Sequence, residues 1–475
     1  MISMKRTCTA LTPLAVMLML VADPAWSSAA VPSFALEQAI SISGSGAGLI
    51  ASDLDGDGDI DVIAGDDDRV VYIPAGAGIF GTGFSQTMLG NIIDLEYARV
   101  VGDARRDVML VGANTNFIEF IAHNDLGFGP STTLALTNAR TVAAGRFNND
   151  SLDDILVGRS SSDGITVRLN NGDETFTAAS VSQTAYSGLY ADVATADLNR
   201  DGYSDLIATD SQGGSSLRVN IANGSGGFAS ETKYSPVTQP FAPTAGDVTG
   251  DGFADVIVMS SSTSNILLFS NLGTGSGGLA SPQTITVCAN PQNARVAELN
   301  GDQYRDIIVT CFGENGVRVL YGQAGGVFAS TGAIASATGA TYIAVADVNH
   351  DDRDDVLVQG YIPNNVVYHR NTTVYAKPGV SAMTPRKIRP TRFTARAHVT
   401  PRYQVTRVRV RYGLAGRPMN RYTTALVIGR STTTRTVSLV VKGLRPGRTY
   451  RYRIVAGASA GTTSGPIRTV RTRLS

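Results

Sequence analysis

Apolar residues in the first three quarters of the chain come in short runs, as in Val62-Ile63-Ala64, Val256-Ile257-Val258-Met259 and Tyr342-Ile343-Ala344-Val345-Ala346. Runs this short, bounded by Gly, Asn, Asp and Ser, predict buried strands and not helices. They follow one grammar. An apolar strand enters an Asp-rich loop and a second leaves it. A polar turn then leads to a third strand, such as Gly316 to Tyr321. A Gly-rich turn ending in Phe opens the fourth, as in Asn223-Gly224-Ser225-Gly226-Gly227-Phe228. The loops begin at positions 53, 103, 146, 197, 247, 298 and 347, spaced by 43 to 51 residues. Four strands per unit and seven units predict an all-β chain built on a seven-bladed β-propeller.

A ring needs closing. The seventh unit has a third strand near Val366-Val367-Tyr368 but no Phe-led strand after it. That piece stands at the other end, as Phe34-Ala35-Leu36-Glu37-Gln38. Phe34 precedes Asp53 by 19 residues, just as Phe228 precedes Asp247 and Phe328 precedes Asp347. Residues 33–41 are therefore expected to supply the outer strand of the last blade, removing two exposed edges.

Charge divides the chain. All 40 acidic residues precede position 376, while 22 of the 40 Lys and Arg lie from Lys377 onward. An acidic propeller over 31–375 is thus followed by a linker at 376–390, rich in Pro and basic residues, and a strongly basic domain at 391–475. Alternation in that last part predicts a small immunoglobulin-like β-sandwich. Residues 1–30 read as an export signal, with Lys5 and Arg6, an apolar core from Ala10 to Ala22, and Ser28-Ala29-Ala30 at its end. No other run is long and apolar enough to span a bilayer as a helix. A secreted monomer is expected, whether extracellular, periplasmic or attached to the cell surface. Outside the signal, Cys288 and Cys311 form either a disulfide, favoured by an oxidising compartment, or two separate buried thiols.

The first loop, Asp53-Leu54-Asp55-Gly56-Asp57-Gly58-Asp59-Ile60-Asp61, gathers carboxylates at alternate positions. Hard oxygen donors on a tight turn suit Ca²⁺, and Gly58 lets the backbone reverse. Turn-forming preference alone accounts for Asp-Gly pairs but not for this repeating placement. An EF-hand is excluded: Ala64 stands where a bidentate Glu is required, and no flanking helices are predicted.

These loops resemble the D-x-[DN]-x-D-G-x-x-D motif of FG-GAP/VCBS repeat proteins, whose fold is the propeller of the integrin α-subunit head. The resemblance implies calcium ligands in five loops: Asp53, Asp55, Asp57 and Asp61; Asp197, Asn199, Asp201 and Asp205; Asp247, Thr249, Asp251 and Asp255; Glu298, Asn300, Asp302 and Asp306; and Asp347, Asn349, Asp351 and Asp355. Arg146 places a cation at position 1 of the third loop, and the second, from Gly102 to Asp107, is too short to wrap an ion. Residues 380–475 resemble a bacterial fibronectin type III domain through Leu444, Pro446, Gly447 and Tyr450. A tyrosine corner at Tyr450 follows, its hydroxyl bonding upstream backbone.

These features point to an exported, calcium-binding adhesion or recognition protein, its propeller a scaffold for glycan or protein ligands. The alternative is an extracellular polysaccharide-degrading lyase or glycosidase. No His-rich cluster, nucleophile elbow or phosphate loop assigns catalytic residues. Calcium is expected to be structural. Ligand is expected on the face opposite the Asp-rich loops, at turns such as Asp66-Asp67-Asp68, 160–164, 211–215, 260–264 and 361–365. On the basic domain Arg407, Arg409, Arg411, Arg451, Arg453, Arg471 and Arg473 alternate along three strands. They predict a strip for an anionic polymer such as a glycan, an envelope polymer or DNA phosphates. The competing readings are a solubilising surface and docking onto the acidic propeller.

Overall fold

The apolar runs pair as antiparallel strands in this computed structural model. It describes residues 32–474 apart from 43, 45, 77–78, 100–106, 114, 125–126, 161–163, 174, 182–190, 211–214, 236, 261–262, 303, 363 and 432. The expected export signal lies outside the described residues, as do most of the shortened second loop and the tips of the turns at 160–164, 211–215 and 260–264.

Among the described residues the chain is all-β apart from one 3₁₀ turn, Phe312–Glu314. Seven four-stranded antiparallel sheets precede residue 372. In six of them the strands follow in chain order. The remaining sheet consists of Thr338–Ala346, Asp355–Ile362, Asn364–Asn371 and, as its outer strand, Phe34–Ser41. That strand runs antiparallel to Asn364–Asn371, with Leu36 opposite His369 and Ile40 opposite Val366.

Second strands are buried on both faces. Asp61–Asp66, Asp205–Asp210, Asp255–Ser260 and Asp306–Cys311 have no accessible residue among them. Sequence makes this possible: these strands are apolar at every position between their terminal residues or carry only small polar groups, so neither face needs water. One face packs on the sheet before and the other on the sheet after. Ile63 of the first sheet joins Leu95, Val108 and Leu110 of the second. Val62 and Ala64, on its other face, join Leu357 and Val366 of the last. Burying each such aliphatic side chain contributes about 1.5–3 kcal/mol. Successive inner strands also lie side by side, and Gly46–Ser52 touches both Ile92–Ala98 and Thr338–Ala346. Cys288 and Cys311 are joined by a disulfide with Cα atoms 5.9 Å apart.

The basic C-terminal part forms two facing sheets. One holds Gly379–Arg386, Phe393–Thr400 and Arg435–Val441. The other centres on Thr406–Leu414 and Thr449–Ala458, and Phe393, Val410, Tyr452 and Ile454 fill the space between them. The Arg445 N–H donates to the Tyr450 hydroxyl at 2.8 Å, the bond expected of a tyrosine corner.

One boundary differs from expectation. Residues 376–390 are not a free linker, because Gly379–Arg386 is the first strand of the sandwich. Pro385 suggested otherwise. It lies on an edge strand, at a register shift between Met383 and Arg386, where a missing N–H breaks no ladder.

Two outcomes are expected. Removing residues 33–41 uncovers the edge of Asn364–Asn371 and lowers the thermal midpoint by at least about 5 °C, with concentration-dependent association in light scattering. An unchanged midpoint and a monodisperse protein would show that the terminal strand does not close the assembly. Replacing both Cys288 and Cys311 by Ser opens a loop of sequence separation 23. Chain entropy then puts the loss at about 3 kcal/mol in denaturant unfolding.

Candidate metal centres and the opposite cavity

Every Asp-rich loop joins the first and second strands of its sheet, so the loops share one face. In the first loop the side chains fold back on their own backbone. Asp53 Oδ1 accepts the Gly56 N–H at 2.8 Å, and Asp55 Oδ1 the Asp57 N–H at 3.0 Å. Asp57 Oδ1 accepts the Asp59 N–H at 2.8 Å. Gly58, Gly202 and Gly252 hold position 6 with φ of 96°, 91° and 91°, a left-handed conformation that glycine adopts without strain. The turn aims carboxylates inward: oxygens of Asp53, Asp55 and Asp61 lie within 4.8 Å of one another. Among the described residues this is the one cluster of three such groups. Its all-oxygen chemistry fits Ca²⁺.

Position 9 has a second role that the sequence reading missed. Asp61 Oδ2 accepts the Leu54 N–H at 3.1 Å, and its Oδ1 accepts the Ala75 N–H at 2.8 Å. Asp205 does the same with Leu198 (2.8 Å) and Ala222 (2.9 Å). Asp255 takes Val248 (2.9 Å) and Asn271 (2.8 Å). Asp306 takes Leu299 and Gly322, both at 2.9 Å. Asp355 takes Val348 (3.2 Å) and Asn371 (2.7 Å). Even Asp154, in the loop that Arg146 opens, binds Phe147 and Asn170, both at 2.9 Å. Each carboxylate thus ties the loop to the end of the third strand or just beyond it. Burial pushes Asp205, Asp306 and Asp355 up to about 7 and Asp154 to about 6, against the opposing pull of the donated N–H bonds. Burial raises Asp61 and Asp255 as well.

The other loops vary this plan. Asp197 accepts from Asp201 (3.1 Å) and Gly202 (3.0 Å), while Asn199 Oδ1 accepts from Asp201 at 3.0 Å. Asp247 accepts from Gly250 (2.7 Å) and Gly252 (2.9 Å), and Asp251 from Phe253 (2.9 Å). Thr249 Oγ1 is buried with no hydrogen-bond partner. Glu298 Oε1 accepts from Asn300 (3.0 Å), Gly301 (2.6 Å) and Asp302 (3.2 Å), leaving Oε2 buried and unpartnered. Burial, with Asp306 and Asp302 nearby, raises Glu298 well above the usual carboxylate range. Asn300 Nδ2 donates to Asp302 at 3.0 Å. An orphaned acid oxygen among acids fits a cation there. In the last loop Asp347 accepts from Asp351 and Asp352, both at 2.9 Å, and Asn349 from Asp351 at 3.0 Å. Arginines add positive charge: Arg353 bonds Asp351, and Arg430 of the sandwich reaches Asp347 Oδ2 at 2.7 Å and Asp354 Oδ1 at 2.8 Å. Arg305 also stacks over Tyr403 at 5.4 Å, so the sandwich docks beside the last two loops.

Neighbouring loops are stitched together. His350 Nε2 lies 2.7 Å from Asp59 Oδ1, linking the last loop to the first. Asn271 Nδ2 donates to Leu198 O (2.8 Å) and Ala254 O (3.0 Å), spanning two sheets. Asn371 does likewise to Leu299 O (3.0 Å) and Asp354 O (3.1 Å). Asn170 reaches Arg99 O (3.4 Å) and Asp153 O (3.2 Å). All three stand 16 residues after a position-9 Asp, a spacing visible in the sequence.

Away from the loops, the inner strands surround a cavity of about 980 Å³. Its lining comes from the entering ends of those strands, including Asp94, Arg140, Asp192 and Arg295, with Phe312 and Tyr361 at the turns. It therefore lies toward the face opposite the Asp-rich loops. Asp94 accepts the Val142 N–H at 2.8 Å and Asp192 the Ala242 N–H at 3.0 Å, each bonding the next sheet. Burial, aided by Glu96 and Asp192, pushes Asp94 up to about 8.

The predicted arginines meet on one sheet face. Arg411 pairs directly opposite Arg453, Arg409 opposite Val455, and Arg451 opposite Thr469. Arg471 and Arg473 continue it as exposed residues.

A family model described as an FG-GAP-like repeat matches residues 146–208, 197–258, 247–309 and 298–358. No curated protein matches the chain. Solved structures similar to part of it include the sensor domain of the anti-sigma factor RsgI4 in Pseudobacteroides cellulosolvens. Its short form is 19% identical, with 21% of this chain and 96% of that chain covered and a TM-score of 0.18. The long form is 19% identical over 20% of this chain and 89% of that one, with a TM-score of 0.17. The four overlapping repeat matches support an FG-GAP repeat protein.

Proposed function

We propose that this chain is an exported recognition or adhesion protein whose seven-bladed β-propeller is stiffened by Ca²⁺ on one face. The observation that carries this reading is the convergence of Asp53, Asp55 and Asp61 within a loop type that recurs around the assembly. Seven sheets whose inner strands neighbour one another, with the first against the last, support the propeller. The sandwich is read as fibronectin type III-like, supported by its two-sheet order and the Tyr450 bond. When bound, calcium would neutralise the loop carboxylates and fix their backbone turns. Asp53 and Asp55 serve as ligands, Asp61 as both ligand and backbone clasp. A glycan or protein ligand is assigned to the opposite face, where the cavity offers a concave polar surface with Phe312 and Tyr361 at its edge.

The alternative, a polysaccharide lyase or glycosidase, draws on Asp94, since a carboxyl kept protonated near neutrality is what a general acid requires. Both Asp94 oxygens already accept backbone N–H bonds, from Leu95 at 3.0 Å and from Val142 at 2.8 Å. That arrangement favours a wall-building role and hence recognition. Retention of intact polysaccharide without product release, scored on a panel of neutral and anionic glycans, separates the two.

Calcium should raise the thermal midpoint over EDTA, by about 2.7 kcal/mol of stability per site at a hundredfold excess over Kd. Changing Asp53 and Asp55 together to Asn should remove one titratable calcium equivalent and leave the EDTA-state stability within about 0.5 kcal/mol. Asp61→Asn should cost about 1–3 kcal/mol even in EDTA, because it places an amide against backbone donors. Equal behaviour of the two variants in EDTA would refute the division of roles.

The raised position-9 carboxyls set a pH dependence. Their folded-state affinity for protons exceeds that of the unfolded chain, so without calcium their contribution to stability falls as pH rises from about 4 through about 7. A cation favours the ionised form. The calcium-induced rise in midpoint should therefore be larger at pH 8 than at pH 5. A shift independent of pH would uncouple these carboxylates from the ion.

A further inference from the structure

We infer that the outward face of the larger sandwich sheet is a binding site for an acidic polysaccharide. This goes beyond the propeller reading and rests on different residues. Strand register brings Arg407, Arg409 and Arg411 beside Arg451 and Arg453, with Arg471 on the next strand. Their sequence neighbours Val408, Val410, Tyr452 and Ile454 are fully buried against the other sheet, so these arginines face out. Strands about 4.8 Å apart and alternate residues about 6.8 Å apart give the array a regular spacing, and within it the Arg411 Nε–H donates to Met419 O at 2.6 Å, which holds that side chain in place.

Folding does not call for such an array. Like charges directly opposite on a sheet, as at Arg411 and Arg453, are destabilising. A solubilising surface mixes both signs, whereas residues 376–475 contain no Asp or Glu. Docking onto the acidic propeller leaves most of the array aside. That contact is made by Arg430 with Asp347 and Asp354, and by Tyr403 with Arg305. Arg407, at one end of the array, lies near enough to affect a propeller carboxylate, Asp352. Among the described residues no ion pair joins Arg409, Arg411, Arg451, Arg453 or Arg471 to an acid.

The shape selects among polyanions. Guanidinium forks match carboxylate and sulfate groups bidentately. Reading duplex DNA takes a helix or two-stranded ribbon that enters a groove, whereas these arginines stand on the face of a wider sheet. Single-stranded nucleic acid needs aromatic platforms for its bases. Here Tyr422, against Arg411 at 5.7 Å, stands on the margin of the array. An extended glycan carrying carboxylate or sulfate groups requires neither.

The test uses the whole chain with heparin, polygalacturonate, uncharged dextran and a 20-nucleotide DNA in single- and double-stranded form as probes. One variant changes Arg409, Arg411 and Arg453 to Gln; a charge-matched control changes Arg386, Arg435 and Lys442 to Gln. Circular dichroism and thermal melting confirm that both fold. Arg409→Gln, Arg411→Gln and Arg453→Gln as single changes replace the triple variant if it does not. Expected are salt-sensitive binding of heparin or polygalacturonate, none of dextran, and affinity at least about tenfold weaker in the face variant but within about twofold of native in the control. Binding of polygalacturonate shows that carboxylates alone suffice, whereas binding of heparin alone shows that sulfate groups are required. Equal loss in the control, tighter binding of either DNA, or no retention of either acidic glycan at low salt would each overturn the inference. None of these outcomes bears on calcium binding by the loops, which is read separately with EDTA.

Discussion

A carboxylate withdrawn from water and held by two backbone amides is the constraint that recurs in six of the repeats. Asp61, Asp154, Asp205, Asp255, Asp306 and Asp355 all make this pair of bonds, one within the loop and one toward the third strand. The bonds give the loop its shape, but burial makes the negative charge costly. Position 9 therefore explains the rest of the motif. In the first loop positions 1 and 3, Asp53 and Asp55, bring further oxygens to the same place as Asp61, where a divalent cation would compensate the charge. Where Arg146 stands at position 1, the amide clasp of Asp154 is still made, so the clasp does not require an acid there.

From loop to assembly the same economy of polar contacts applies. Second strands are apolar on both faces, so sheets stack by burial. Specific registration between sheets comes from a few buried donors and acceptors: Asn170, Asn271 and Asn371 at the loop face, Asp94 and Asp192 around the cavity. Each satisfies backbone groups that stacking would otherwise strand. The sandwich joins this face through Arg430, placing a fixed positive charge against Asp347. Among the described residues Arg409, Arg411, Arg451, Arg453 and Arg471 form no ion pair in that contact, whereas Arg407 lies near Asp352.

Much of this was legible from residue patterns. The strand grammar, the near-constant loop spacing and the position of Phe34 anticipate the pairing of Phe34–Ser41 with Asn364–Asn371. Alternation in Arg407-Val408-Arg409-Val410-Arg411 anticipates one charged and one apolar face. Other features were not. Pro385 suggested a linker because proline breaks most strands, yet an edge strand with a shifted register accommodates it. The Asn residues 16 positions after the clasp acids escaped attention because asparagine is common in turns. Their partners lie up to 73 residues away in the chain. Arg430 gave no signal at all, being one arginine among many.

Sequence by itself determined what depends on local order: strands of period two or continuous apolarity, turns that need glycine, and the alternate placement of acids that folds a loop onto itself. These follow from the geometry of consecutive residues. Tertiary structure alone decided which groups lose water and which distant groups meet. It made the Asp61 type of residue, expected as one ligand among four, a buried clasp, set Arg430 rather than Arg409 against Asp347, and collected Asp94, Arg140, Asp192 and Arg295 around one cavity. Desolvation and long-range Coulomb pairing depend on neighbours in space, and no local pattern of residues records those.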